Sequence, residues 1–141
     1  MAPLRVYRVG AMGVSVLIVD DQAPFRLAAR AVVEATDGFD VVGEVETGEA
    51  ALDAARELRP DLVLMDVNLP GISGLEATRV ILAEGGAPRP MVIVFSTYEP
   101  AEYAPRAAEA GAVGYITKSD LSPERLEEVW TAAQNGRAST P

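Results

Sequence analysis

Leu62-Val63-Leu64-Met65-Asp66-Val67-Asn68-Leu69-Pro70-Gly71-Ile72-Ser73-Gly74 is the stretch that decides the fold. Apolar residues run straight into a carboxylate, and the chain then breaks. An unbroken apolar run has no solvent face, so Leu62 to Met65 reads as a strand buried on both sides, as inside a parallel sheet. Pro70, Gly71 and Gly74 mark the following segment as a loop. In open parallel sheets, ligands bind beyond the carboxyl ends of the strands, and Asp66 stands at such an end. By itself, Asp66 suits a turn cap as well as it suits chemistry, since Asp caps turns often.

The same pattern recurs on both sides. Val14 to Val19 is an apolar, β-branched run closing on Asp20-Asp21. A helix is expected from Gln22 to Ala35, with Phe25, Leu27, Ala28, Ala31, Val32 and Ala35 at helical spacing and Pro24 in its first turn. Asp37-Gly38 stops it, and Asp40 to Val45 reads as a second strand. Thr47 is the expected N-cap of a helix running through Leu52 and Leu58 to Arg59, although Ala50 stands where a capping box has its acid.

After the quoted stretch, Ser73 caps a helix carrying Leu75, Val80, Ile81 and Leu82, which Gly85-Gly86 ends. Met91 to Phe95 is a fourth buried strand, closing on Ser96-Thr97. A helix over about Ala101 to Ala110 follows, its Ala and Glu content favouring helix. Pro105 removes a hydrogen bond there and clashes with a carbonyl, so this helix is expected to kink or begin late. Val113 to Thr117 is a fifth strand ending at Lys118. Ser122-Pro123 starts a last helix with Leu126, Val129, Trp130 and Ala133 as its buried stripe, ended by Asn135-Gly136. Strand and helix thus alternate five times, which implies a parallel sheet with helices on both faces.

The chain has 141 residues and is 49% hydrophobic, enough for one domain with a substantial core. There is no cysteine, which excludes disulfides and thiolate sites and fits a reducing compartment; a cytoplasmic location is expected. There is no histidine, so no Ser-His triad and no phosphohistidine can form within the chain. A net charge of −9 disfavours direct binding of nucleic acid. No apolar run reaches the roughly 18 residues of a membrane helix. Residues 1–12 carry Arg5 and Arg8 without a long apolar core, so they read as a disordered extension and not as a signal peptide. Residues 13–136 form the domain, and 137–141 a tail or the start of a linker.

Asp20, Asp21, Asp66, Ser96 and Lys118 all end strands. With the central strands adjacent, they meet at one carboxyl edge. Singly, each has a plainer role as a cap, a turn bond or a solvated surface group. Together they suit phosphoryl transfer. Crowded carboxylates repel unless a cation is present, and hard oxygen ligands suit Mg²⁺. A carboxylate oxygen can attack phosphorus, while a cation, an ammonium and a hydroxyl hold the equatorial oxygens.

On these residues the chain resembles a response regulator receiver domain of two-component signalling. The matching motifs are Val-Asp-Asp at 19–21, Leu-Met-Asp-Val-Asn-Leu-Pro-Gly at 64–71, Phe-Ser-Thr at 95–97 and Gly-Tyr-Ile-Thr-Lys at 114–118. Asp-Asp-Gln-Ala-Pro-Phe-Arg at 20–26 and Val-Val-Gly-Glu-Val-Glu-Thr-Gly-Glu-Ala-Ala-Leu at 41–52 look like the NarL/FixJ-type (LuxR-like) subfamily. The resemblance implies an α/β flavodoxin-like (βα)5 fold with strand order 2-1-3-4-5. It implies Asp66 as phospho-acceptor, with Asp20, Asp21, Asp66 and the Asn68 backbone carbonyl holding Mg²⁺ or Mn²⁺. It places Ser96, Thr97, Lys118 and Tyr115 as phosphate-binding and switch residues, with Tyr115 turning inward from solvent. Asn68 and Tyr98 are expected to flank the approach of hydrolytic water. The implied partner is a sensor histidine kinase, with a homodimer allowed and no membrane contact.

Members of that group usually carry a DNA-binding domain after the receiver, and none follows Gly136 here. A chain cut at its linker is favoured over a stand-alone receiver. Ser119 follows Lys118 where many receivers have proline, so a cis bond there would be costly. Two rivals are a docking module that is never phosphorylated and a phosphatase of the haloacid dehalogenase type. The latter needs an acid two residues after its nucleophile, where Asn68 stands.

Overall fold

The computed structural model describes residues 13–84 and 89–138. Five strands alternate with five helices: β1 (Val14–Val19), α1 (Ala23–Glu34), β2 (Phe39–Val45), α2 (Gly48–Leu58), β3 (Leu62–Asp66), α3 (Gly74–Ala83), β4 (Met91–Ser96), α4 (Pro100–Ala110), β5 (Gly114–Thr117) and α5 (Pro123–Ala138). All strand pairs are parallel, in the order β2-β1-β3-β4-β5. This is the flavodoxin-like doubly wound sheet.

The apolar strands have no polar side because each face carries its own core. Leu17, Val19, Val63, Met65, Val92 and Val94 pack with Ala51, Leu75, Ile81 and Ala107 of α2, α3 and α4. Val16, Ile18, Leu62, Leu64, Ile93 and Phe95 pack with Ala29, Val33 and Leu126 of α1 and α5. Alternation along each strand sends successive residues to opposite layers. Truncating a fully buried side chain such as Leu64 would cost about 2–5 kcal/mol.

Several sequence-based boundaries move. β2 begins at Phe39, which is buried and pairs with Val14. β5 begins at Gly114, since Val113 is exposed. The stripe expected on α1 also shifts. Leu27 is 69% exposed, and Ala28, Ala31 and Ala35 are exposed too. The inward side is Phe25, Ala29, Val32 and Val33, the i, i+4, i+7 and i+8 spacing of one helix face, with buried Thr36 just past the helix. α4 begins at Pro100 without delay and holds Pro105 inside it. Pro100 suits a first position, and Pro105 does not end the helix although it cannot donate a hydrogen bond to the preceding turn. α5 runs past Asn135-Gly136 to Ala138, because a glycine within a helix costs about 1 kcal/mol and does not by itself end it. The expected stop at Gly85-Gly86, the extension over residues 1–12 and the tail from 139 lie outside the described residues, while α3 itself ends at Ala83.

Candidate functional site

Strand register builds the site. Val19 pairs with Met65 across β1 and β3, so the next residues, Asp20 and Asp66, stand side by side at the carboxyl edge. Asp66 pairs with Phe95, and Ser96 with Thr117, which brings Lys118 to the same rim. Asp20 and Asp66 continue the alternation of Ile18 and Leu64, towards the layer of α1 and α5.

Asp20 is fully buried and Asp66 is 4% exposed, while Asp21 is open to solvent. Carboxylate oxygens from Asp20, Asp21 and Asp66 all lie within 4.8 Å of one another. Lys118 Nζ lies 2.6 Å from Asp20 Oδ2 and 3.5 Å from Asp66 Oδ2. The Gln22 amide donates to Asp20 Oδ1 at 2.8 Å, but Asp20 Oδ2 accepts no hydrogen bond. The lysine beside it is close enough for an ion pair and lacks the angle of a hydrogen bond. Arg26 donates to the Asp20 carbonyl at 2.8 Å and fixes the first turn of α1 on the site.

Burial, and then the Asp20 charge, push the Asp66 carboxyl up from 3.8 to about 6, with Lys118 and the Asn68 amide opposing. Three crowded carboxylates, one with a buried oxygen that accepts no hydrogen bond, form a hard-oxygen site that a divalent cation fits. Asp21 and Asn68 are exposed and leave the site open to solvent.

The loop after Asp66 is shaped by contacts that sequence reading passed over. A Cβ on Gly74 would stand 1.8 Å from the Asp66 carbonyl oxygen, so only glycine fits there. The Gly74 amide closes the loop onto the Val67 carbonyl at 2.9 Å. Gly71 has φ +78°, the left-handed region, and its neighbour Ile72 donates its amide to Glu49 at 3.2 Å. Glu49 stands in the first turn of α2, and nothing in its spacing points to a loop 23 residues away.

Ser96 is buried at the same edge, and Thr97 is exposed just beyond it. Ser96 Oγ accepts from the Tyr98 amide at 3.3 Å, and the Tyr115 hydroxyl donates to the Tyr98 carbonyl at 2.7 Å. Tyr115 is half-buried against the layer of α3 and α4, not loose in solvent. Burial pushes its phenol up. The structure thus joins Asp20, Asp21, Asp66 and Lys118 directly. Among the described residues, no side-chain hydrogen bond links Ser96, Thr97 or Tyr115 to Asp66. No helix among them is long and apolar enough to cross a membrane.

The model of the response regulator receiver domain matches residues 16–130. The response regulator GacA of Pseudomonas viridiflava is 44% identical over 116 residues, covering 82% of this chain and 53% of GacA. The transcriptional regulatory protein YdfI of Bacillus subtilis (strain 168) is 38% identical over 121 residues, covering 86% of this chain and 55% of YdfI. The chain spans about half the length of these curated relatives. Among solved structures, a LuxR-family two-component response regulator from Aurantimonas sp. SI85-9A1 superposes with TM-score 0.78 at 36% identity, covering 88% of this chain and 86% of that one. The response regulator domain of Thermotoga maritima CheB gives TM-score 0.76 at 32% identity, with coverage of 86% and 97%. A match of this extent, on the same sheet order, makes the chain a response regulator receiver domain of two-component signalling, of the NarL/FixJ type.

Proposed function

We propose that this receiver takes a phosphoryl group from the phosphohistidine of a sensor kinase onto Asp66 and passes the signal on as a change of shape. One observation carries the reading: the buried Asp66 carboxylate ends the central strand 3.5 Å from the Lys118 ammonium and clusters with Asp20 and Asp21. An Asp66 oxygen forms the new P–O bond, the P–N bond of the donor breaks, and imidazole leaves with the electron pair. Lys118 offers its ammonium to an equatorial phosphoryl oxygen. Asp20, Asp21, Asp66 and the Asn68 backbone carbonyl would hold Mg²⁺ or Mn²⁺, which when bound neutralises charge on the phosphoryl oxygens.

Ser96, and Thr97 beside it, supply hydroxyls at the end of β4. A Ser96 hydroxyl drawn towards the phosphoryl group releases the Tyr98 amide that it now accepts from. The Tyr98 carbonyl holds the Tyr115 hydroxyl, so the loss shifts Tyr115 and the face of α4 and β5 around it. Phosphorylation thereby biases a two-state element. Relatives named as transcriptional regulators support control of transcription as the output, exercised by a DNA-binding unit joined to the receiver. A cytoplasmic place fits a chain without cysteine.

The test is incubation with labelled acetyl phosphate and Mg²⁺. The wild-type chain takes up label and Asp66→Asn takes none. Full labelling of Asp66→Asn overturns the assignment.

A further inference from the structure

Lys118 has a second set of neighbours that the phosphoryl-transfer reading leaves unused. Its ammonium lies 3.8 Å from the centroid of the Phe25 ring and 5.2 Å from that of Phe95. The Lys118 side chain is only 7% exposed, so its charge is largely removed from water. It stands beside Asp20 Oδ2 without the angle of a hydrogen bond and 3.5 Å from Asp66. The carboxylates therefore do not enclose it. The negative face of an aromatic ring attracts a cation, and more strongly where water is excluded.

Phe95 is core, paired in register with Asp66 and 1% exposed. Phe25 differs. It is half-buried in the first turn of α1, beside exposed Pro24 and Leu27. Arg26, the next residue, ties that turn to the Asp20 carbonyl at 2.8 Å and so keeps its backbone at the rim.

We propose that Phe25 is a positioning residue for Lys118: its ring holds the ammonium at the rim, within reach of Asp66, before a phosphoryl group arrives. The inference rests on the phospho-acceptor reading of Asp66. It makes the exposed first turn of α1 one side chain removed from the cation that would meet the phosphoryl oxygens. A plain core role for Phe25 would be met by any apolar side chain of similar size. Positioning by the ring is met only by another ring.

The test compares wild type, Phe25→Leu and Phe25→Tyr, all of full length. Two quantities are read: the NMR shift of the Lys118 ε-methylene protons, and the initial rate of labelling by acetyl phosphate with Mg²⁺. A ring face 3.8 Å from Nζ moves the adjacent methylene protons upfield in wild type and in Phe25→Tyr, and the shift shrinks in Phe25→Leu, where only Phe95 at 5.2 Å remains. Labelling slows roughly three- to tenfold in Phe25→Leu and stays within about twofold in Phe25→Tyr, the range expected for one cation–ring contact. Wild-type protons without an upfield shift overturn the proposal even if Phe25→Leu does not fold. So does equal labelling of Phe25→Leu and wild type. A wild-type chain that takes no label overturns the acceptor reading itself, and with it the role given to Phe25.

Discussion

Lys118 stands nearer to Asp20 than to Asp66: its ammonium is 2.6 Å from the first carboxylate and 3.5 Å from the second. Asp20 is fully buried, so this ion pair is what offsets the burial of its charge. Lys118→Met keeps the length of the side chain and removes the charge. It leaves two buried carboxylates facing each other, and stability at neutral pH falls by about 3 kcal/mol. Urea unfolding followed by the fluorescence of Trp130, the one tryptophan, measures the loss. Added Mg²⁺ restores part of it. A variant as stable as wild type would show that Asp20 does not depend on the lysine.

Asp66 makes the metal-free protein less stable as pH rises. Its carboxyl titrates at about 6 in the fold and at 3.8 as an ordinary aspartate, because burial first and Asp20 second disfavour its charge. Between those two pH values the fold holds a proton that the unfolded chain releases. The contribution of this site to stability is therefore highest below 3.8 and is lost as pH climbs through 6. A rise from 3.8 to about 6 corresponds to about 3 kcal/mol. Asp66→Asn abolishes this slope and is the more stable protein at pH 7. The difference between the two urea curves, taken from pH 4 to 8, checks the sign.

Gly74→Ala places a methyl group 1.8 Å from the Asp66 carbonyl oxygen, a backbone atom that cannot step aside. The loop carrying Asn68 must move, or α3 must start later. We expect a loss of about 1–3 kcal/mol, the range typical of overpacking a close contact. Metal affinity measured by Mg²⁺ titration should fall with it. A variant of wild-type stability would mean that the loop has slack.

Arg59 is the one non-glycine residue with positive φ among those described, at φ +48° as the C-cap of α2. An L side chain pays for that region in steric energy, and glycine does not. Arg59→Gly should raise stability by about 0.5–1 kcal/mol, read as a higher urea midpoint at unchanged slope. Its distance from the acceptor site along the sheet predicts unchanged labelling by acetyl phosphate.

The rim was legible because strand ends are legible. An apolar run that stops at Asp20, Asp66, Ser96 or Lys118 states its own carboxyl end, and parallel order then brings those ends together. The contacts that hold the rim in shape were not. Glu49 reaches Ile72 across 23 residues, and Phe25 meets Lys118 across the gap between the first helix and the last strand. Nothing in local spacing records such pairs. Leu27 shows the same limit from the other side: it fits an apolar stripe on paper and faces solvent in the fold.

What the amino-acid order determined by itself is the alternation of five buried strands with five helices, and the residues standing where each strand stops. Both follow from local rules, the two-residue period of a strand and the residues that break it. Only the tertiary structure decided which of those end residues touch. It set Lys118 against Asp20, aimed Asp20 and Asp66 towards one layer, and turned Tyr115 into the other. Such contacts depend on register between strands far apart in sequence, and a one-residue slip would send every side chain to the opposite face.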